Sequence, residues 1–321
     1  LAGKHVHIEK PPTVGLAEFR ELLSLARDKN VLLQMGYMWR FNPGINAALE
    51  AIGQTVVVEN PVGGGGTVGS LRVSRSTPDG SQFVLGNNGT HSWSQSLYKN
   101  PPYETLRDFT PLGLAIESPR AIIIPKDIPV NTLPEFIAYL KANQDKVNEG
   151  HAGIGSVSFT TCMLFTSQLN VKGGIVAAYR GTGPALNDLV GGQVDYMCDQ
   201  IVNLAEQIRA GNIRAYAIAS PERSPALPDV PTTTEAGLPA YQASGWNAMF
   251  APKGTPKDIV TKLNAAANAA LDDPSTKGKL EAIGAVIPRK ENRTSEGLKK
   301  FVEAEIGKWA PIMKEAASQV K

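Results

Sequence analysis

Apolar positions along the chain alternate between two spacings. Short, mainly apolar segments at 55–58, 83–86, 121–124, 174–178, 194–197, 213–219 and 245–252 have the length of strands. Between them, apolar residues recur at helical spacing and predict helices over 68–76, 133–143, 159–169, 184–190, 205–210, 257–272 and about 295–317. Strands that alternate with helices are the pattern of an α/β fold built on parallel sheets.

One stretch shows the unit in full. The run 174–178 is a strand, Gly181, Thr182 and Gly183 make a turn, and Pro184 opens a helix whose stripe is Ala185, Leu186, Leu189 and Val190. Gly191 and Gly192 stop it, and 194–197 begins the next strand. A loop placed this way aims the free N–H groups of a helix start outward, where α/β proteins hold anions.

Taken in order, 4–9 reads as a strand, Pro11 and Pro12 break it, 16–28 as an amphipathic helix and 31–37 as another strand. A helix over 47–52 stops at Gly53. Gly63 to Gly66 then open a helix, but no Lys-Ser/Thr pair follows, so a nucleotide phosphate cradle is a weak reading. Asn87 to His91 form a polar loop after a strand. A second α/β group begins near Pro125, and 245–252 returns to the first, which gives two crossings suited to hinge closure. Thr255 and Pro256 cap the helix over 257–272.

With 321 residues, two domains are expected. Lys and Arg number 32 against 30 Asp and Glu, a net +2, so no strong field points to nucleic acid or a membrane surface. No apolar run approaches the roughly 20 residues of a spanning helix. Cys162 and Cys198 sit in apolar company and read as buried thiols, or as one disulfide in an oxidising compartment. The chain begins at Leu1 without a signal-like apolar core and reads as a processed or truncated form.

Two resemblances follow from the motifs. GKHVHIEKP and QMGYMWRFNP, at 3–11 and 34–43, resemble the Gfo/Idh/MocA oxidoreductases, which would make Lys10 a catalytic lysine beside a nicotinamide. The glycine-rich turn that should precede them is missing, so 1–45 reads as an oxidoreductase-like segment joined to another protein, with Lys10 a solvated lysine. From about residue 47 onward, VVVENPVGGGGTVG, TPDGSQFVLGNNGTH, PYETLRDFTPLG, GHAGIGSVS, YRGTGPALNDLVGGQVDYMCDQ, RSPALPDVPTTTEAGLP and FAPKGTPKDIVTKLN occur in order. Together they are similar to the Bug family, the extracytoplasmic solute-binding proteins of tripartite tricarboxylate transporters.

That resemblance implies a two-domain periplasmic-binding-protein (type II) clamshell with two hinge crossings. Domain 1 would be 46–122 plus 243–321 and domain 2 would be 123–242, with 1–45 able to supply the first strand of domain 1. It also implies a periplasmic monomer that is not an enzyme. Such a protein carries no cofactor and binds no nucleic acid; it delivers a small carboxylate to membrane components. The alternative is an NAD(P)-dependent oxidoreductase. The loop 35–43 is bulky and aromatic where the family has small residues, which puts half of the binding site in question.

The residues themselves favour binding over catalysis. No HExxH, GxSxG, Walker or CxxC pattern occurs, and His5, His7, His91 and His151 have no metal-ligand spacing. Gly155, Ser156, Val157 and Ser158 offer hydroxyls and helix-start N–H groups suited to a carboxylate, although either serine could equally be an N-cap. Asn87, Asn88, Thr90 and His91 lie at a strand end expected to face the cleft. Arg180 could pair with a carboxylate or be solvated. Asp199 could accept from a ligand or cap a following helix.

Overall fold

A single extended strand organises the molecule. In the computed structural model, which describes residues 6–8, 33–35, 59–125, 128–171, 175–241 and 243–319, this strand is Phe109–Pro125 (β4). Its first part, Phe109 to Pro119, pairs antiparallel with Ser244–Pro252 (β9), which also pairs with Val84–Asn87 (β3). From Arg120 onward it exchanges partners and pairs with Met197–Gln200 (β7) and Ile213–Ala219 (β8). Two sheets thus share one strand, and each is the centre of a lobe.

Alternation along β4 explains the packing. Ile122 and Ile124 project into one core, with Phe136, Phe165, Tyr196 and Cys198, while Ala121 and Ile123 project into another, with Leu186, Leu189, Met197 and Ile218. All four β4 residues are fully buried, and each isoleucine contributes roughly 2 kcal/mol of apolar burial. In the other lobe, Phe109, Leu114, Trp246 and Phe250 pack on one face, and Leu112, Met249 and Leu263 on the opposite one. Sequence patterning places a strand only at 121–124. Pro111 and Pro119 lie inside the observed strand, which accommodates irregularities between Pro111 and Gly113 and between Leu114 and Ile116.

Helices cover the sheets. They are Thr67–Ser74 (α1), Ser94–Leu97 (α2), Thr105–Asp108 (α3), Leu133–Ala142 (α4), Val157–Gln168 (α5), Thr182–Val190 (α6) and Ile201–Arg209 (α7). Lys257–Asp272 (α8), Pro274–Ala282 (α9) and Ser295–Gln319 (α10) complete the set among the described residues. The helix over 257–272 has the predicted bounds, but its start is not capped by a Thr255 side chain. The Thr255 hydroxyl donates to the Pro252 carbonyl at 2.8 Å instead, and Pro256 is the N-cap.

Glu149–His151 (β5) and Val176–Ala178 (β6) form a separate parallel pair. The sequence reads β6 as buried; the structure places it at an edge, with Ile175 70% exposed. Val6–Ile8 (β1) and Leu33–Met35 (β2) pair in parallel. The expected helices over 16–28 and 47–52, the strand at 55–58, Lys10 and most of the loop 35–43 lie outside the described residues. Cys162 and Cys198 are joined as a disulfide, so the thiol reading is corrected. Its Cα atoms are 5.1 Å apart, and it ties α5 to β7.

Candidate ligand-binding site

Where the lobes meet, several helix starts converge on glycines. Gly63 to Gly66 take φ of 119, 55, 60 and 97°, a conformation only glycine adopts without strain. Gly65 lies against the other lobe so closely that a Cβ would sit 2.5 Å from the Ile154 carbonyl oxygen and 2.7 Å from the Ser156 nitrogen. A Cβ on Gly89 would be 3.0 Å from the Gly155 oxygen and 3.3 Å from the Val157 nitrogen. Gly153 approaches the Tyr179 oxygen, just before α6. The Tyr98 hydroxyl bridges the lobes by donating to the Ile154 carbonyl at 3.1 Å.

The starts of α1, of the helical turn Gly89–Trp93 and of α5 therefore face one another, with the loop before α6 alongside. First-turn N–H groups have no intrahelical acceptor, and the macrodipoles add positive potential at the same place. Such an arrangement suits a small anion.

The predicted polar loop at Asn87–His91 is instead a strand end followed by a buried helical turn, held inward by the packing of His91 against Tyr103, Phe109 and Phe250. Asn87 Oδ1 accepts from the Thr90 N–H at 3.0 Å, and Thr90 Oγ1 accepts from the Asn87 N–H at 3.0 Å. The Thr90 hydroxyl is also 2.9 Å from His91 Nδ1, so its bonds are made within the turn. His91 is a correction: its ring stacks on Phe250 at 4.1 Å and meets Phe109 edge-on, inside the first lobe's core. Burial holds its imidazole down at about 3. Asn88 is buried and accepts from Arg120 Nη2 at 2.8 Å.

In the second lobe, Ser156 is the N-cap of α5 and accepts from the Phe159 N–H at 3.2 Å. Ser158 Oγ accepts from the Ala152 N–H at 2.8 Å, and the two serine hydroxyls are 3.1 Å apart. One hydroxyl proton joins them, which leaves a single proton for another acceptor. Gly155, with φ of 80°, and Val157 complete this edge. Arg180 is exposed, two residues before α6. Asp199 is buried, and its oxygens already accept from Thr182 Oγ1 at 2.8 Å, from the Gln200 N–H at 2.7 Å and from Asn203 Nδ2 at 3.2 Å. Burial pushes its carboxyl up. It fastens α6 and α7 to β7 and has little acceptor capacity left for a ligand.

Tyr98 and Arg120 were not singled out by sequence reasoning, and Gly65 entered it only within the run Gly63 to Gly66, read as a weak phosphate cradle. Arg120 had a signal: it is a lone charge between Pro119 and the run Ala121–Ile124. Tyr98 had none.

Residues 45–317 match the model of the tripartite tricarboxylate transporter family receptor. The chain belongs to this family. It is similar to MatC from Rhodopseudomonas palustris, solved with bound malate, at 39% identity and a TM-score of 0.80, over 96% of this chain and 98% of that one. Its similarity to the periplasmic binding protein BugD is 39% identity with a TM-score of 0.82, over 87% and 92% of the two chains. An R. palustris protein solved with adipate is 28% identical, with a TM-score of 0.80, over 98% and 97%. The receptor is thus a Bug-type protein with the α/β clamshell fold. A stretch of 75 residues is 39% identical to trans-1,2-dihydrobenzene-1,2-diol dehydrogenase of Mus musculus, covering 23% of this chain and 19% of that enzyme.

Proposed function

We propose that this receptor is a periplasmic, monomeric solute-binding protein that takes up a small carboxylate between its lobes. It delivers that acid to the membrane components of a tripartite tricarboxylate-type transporter and performs no chemistry on it. The observation that carries this reading is the convergence of helix starts from both lobes on glycines that permit close backbone approach. A carboxylate there accepts from the N–H groups at the starts of the Gly89 turn and of α5, including those of Val157 and Ser158. It also accepts the free hydroxyl proton of the Ser156–Ser158 pair. Arg180 adds charge at the rim. Because both lobes contribute donors, binding favours the closed state by differential contact. The partner exchange at Pro119–Arg120 supports a division close to 46–122 plus 243–321 against 123–242.

Calorimetry and thermal shift with malate, adipate and NADPH test the reading. A ligand stabilises the form it binds in proportion to its excess over Kd. Stabilisation by an acid but not by NADPH is expected. Stabilisation by NADPH alone would transfer the function to the oxidoreductase-like segment.

A further inference from the structure

Arg120 opens the part of β4 that pairs in the second lobe, opposite Gln200 and Ala219. Its side chain is fully buried and lies over the backbone of Gly245, where a Cβ would come within 2.6 Å of Nη2. Nη2 donates to Asn88 Oδ1 at 2.8 Å, but Nε and Nη1 have no acceptor among the described residues. Among the described residues Asn88 Nδ2 and Trp93 Nε1 are orphaned donors as well, and the guanidinium is 5.4 Å from the centre of the Trp93 ring. Gln200 Oε1 and Asn247 Oδ1 are orphaned acceptors, and the orphaned donors outnumber them.

The charge is unpaired too. Burial lowers the Arg120 pKa only to about 10, so the group is a cation at neutral pH. Asp199 and Glu305 influence it from nearby, yet the Asp199 oxygens already accept from Thr182, Gln200 and Asn203. Glu305 Oε2 accepts from the indoles of Trp246 and Trp309. Among the described residues no carboxylate forms an ion pair with Arg120. A desolvated cation without a counter-ion is strongly unfavourable, whereas an anion meeting several such donors is held by charge-assisted bonds.

We propose that Arg120, Asn88 and Trp93 form a buried receptor at the hinge for one carboxylate-sized anion, occupied in the loaded protein by the second carboxylate of a dicarboxylate ligand. This deepens the solute-binding reading and rests on it for the identity of the anion. Asn88 directly precedes Gly89, whose position touches the start of α5, so the receptor adjoins the place assigned to the first carboxylate. It draws on both lobes, Asn88 and Trp93 from one side of the crossing and Arg120 from the other. A diacid would be gripped at its second end by a fixed guanidinium; a monoacid would not.

Calorimetry with malate and with 3-hydroxybutyrate, which lacks the second carboxylate, tests this in the wild type, Arg120→Met and Asn88→Asp. Asn88→Asp is nearly isosteric and gives Arg120 a carboxylate of its own. Both variants should weaken malate binding by roughly ten- to a hundredfold while 3-hydroxybutyrate changes by less than about twofold. Equal losses for both acids, or no loss for either, overturn the proposal. If the wild type binds neither acid, the solute-binding reading fails by itself, and melting in sodium chloride against sodium isethionate at equal ionic strength decides the receptor. Stabilisation by chloride that disappears in both variants assigns the site to a free anion; no chloride effect overturns it. Should Arg120→Met fail to fold, Asn88→Asp alone decides between these outcomes.

Discussion

The Tyr196 hydroxyl donates to Glu149 Oε2 at 2.8 Å, in the core between β5 and β7. Burial pushes the Glu149 carboxyl up from 4.5 to about 7, against the smaller opposing effect of that bond. A folded pKa above the unfolded one means a stabilising contribution present in full below about 4.5 and lost as pH rises to about 7. Glu149→Gln removes this dependence. Relative to the wild type it should gain about 3 kcal/mol in urea unfolding between pH 4.5 and pH 8. Parallel stability profiles for the two proteins would refute the assignment.

His91 works in the opposite direction. Its pKa is lowered by burial to about 3, so its contribution is complete above the unfolded value of 6.5 and fades as pH falls from there. The ring should show no titration by NMR between pH 5 and pH 8. His91→Gln should flatten the acid side of the stability profile. A midpoint near 6.5 for this ring would contradict the packing against Phe250.

Cys162 and Cys198 close a loop with a sequence separation of 36. Protein recovered from an oxidising compartment should give no reaction with a thiol reagent when unfolded, and one linked peptide pair in a non-reducing digest. Reduction should lower the unfolding free energy by about 3–4 kcal/mol on the chain-entropy account. Two free thiols in the native protein would count against the pairing.

Gly65→Ala adds a methyl group facing the Ile154 carbonyl and the Ser156 N–H of the opposite lobe. With the lobes unable to meet, malate affinity should drop by more than roughly tenfold, since closure is part of binding. Small-angle scattering should also lose any compaction on adding ligand. An unchanged affinity would show that the contact is dispensable.

Thr90 and Ser158 separate stability from binding. Thr90 completes its bonds with Asn87 and His91, so Thr90→Ala should cost about 1 kcal/mol in unfolding and alter affinity little. Ser158→Ala removes one hydroxyl of the pair and leaves the Ala152 N–H without its acceptor, so it should weaken malate binding by roughly tenfold while also costing about 1 kcal/mol in unfolding. Calorimetry and denaturation of both variants check this; a reversal of the two effects would move the carboxylate to the first lobe.

Legibility of the fold depended on how far local pattern and tertiary context agreed. The helix over 257–272 and the returning strand at 245–252 follow from periodicity because their neighbours only reinforce it. β4 defied prediction over its first half, since proline reads as a stop unless irregular pairing and an adjacent strand absorb it. Asn87 to His91 look solvent-facing from composition alone, and only the aromatic cage of Tyr103, Phe109 and Phe250 turns them inward. At the site, the glycines and serines of the second lobe were visible as a helix start. The occupation of their hydroxyls, and the side chain of Arg120, became apparent only with partners drawn from residues distant in sequence.

Pro119 lies opposite Ser244 at the point where β4 passes between sheets, and a proline has no N–H to give to the ladder there. A bend at that position therefore has one ladder hydrogen bond fewer to break than a bend at a residue that carries an N–H. Ladder pairs flank it on both sides, Ser118 with Gly245 and Arg120 with Gln200 and Ala219, so the expected motion is a swing of the two halves like covers about a spine. Motion of that kind predicts that a ligand enters and leaves by the edge opposite the spine, so a crosslink across that edge should trap a bound acid.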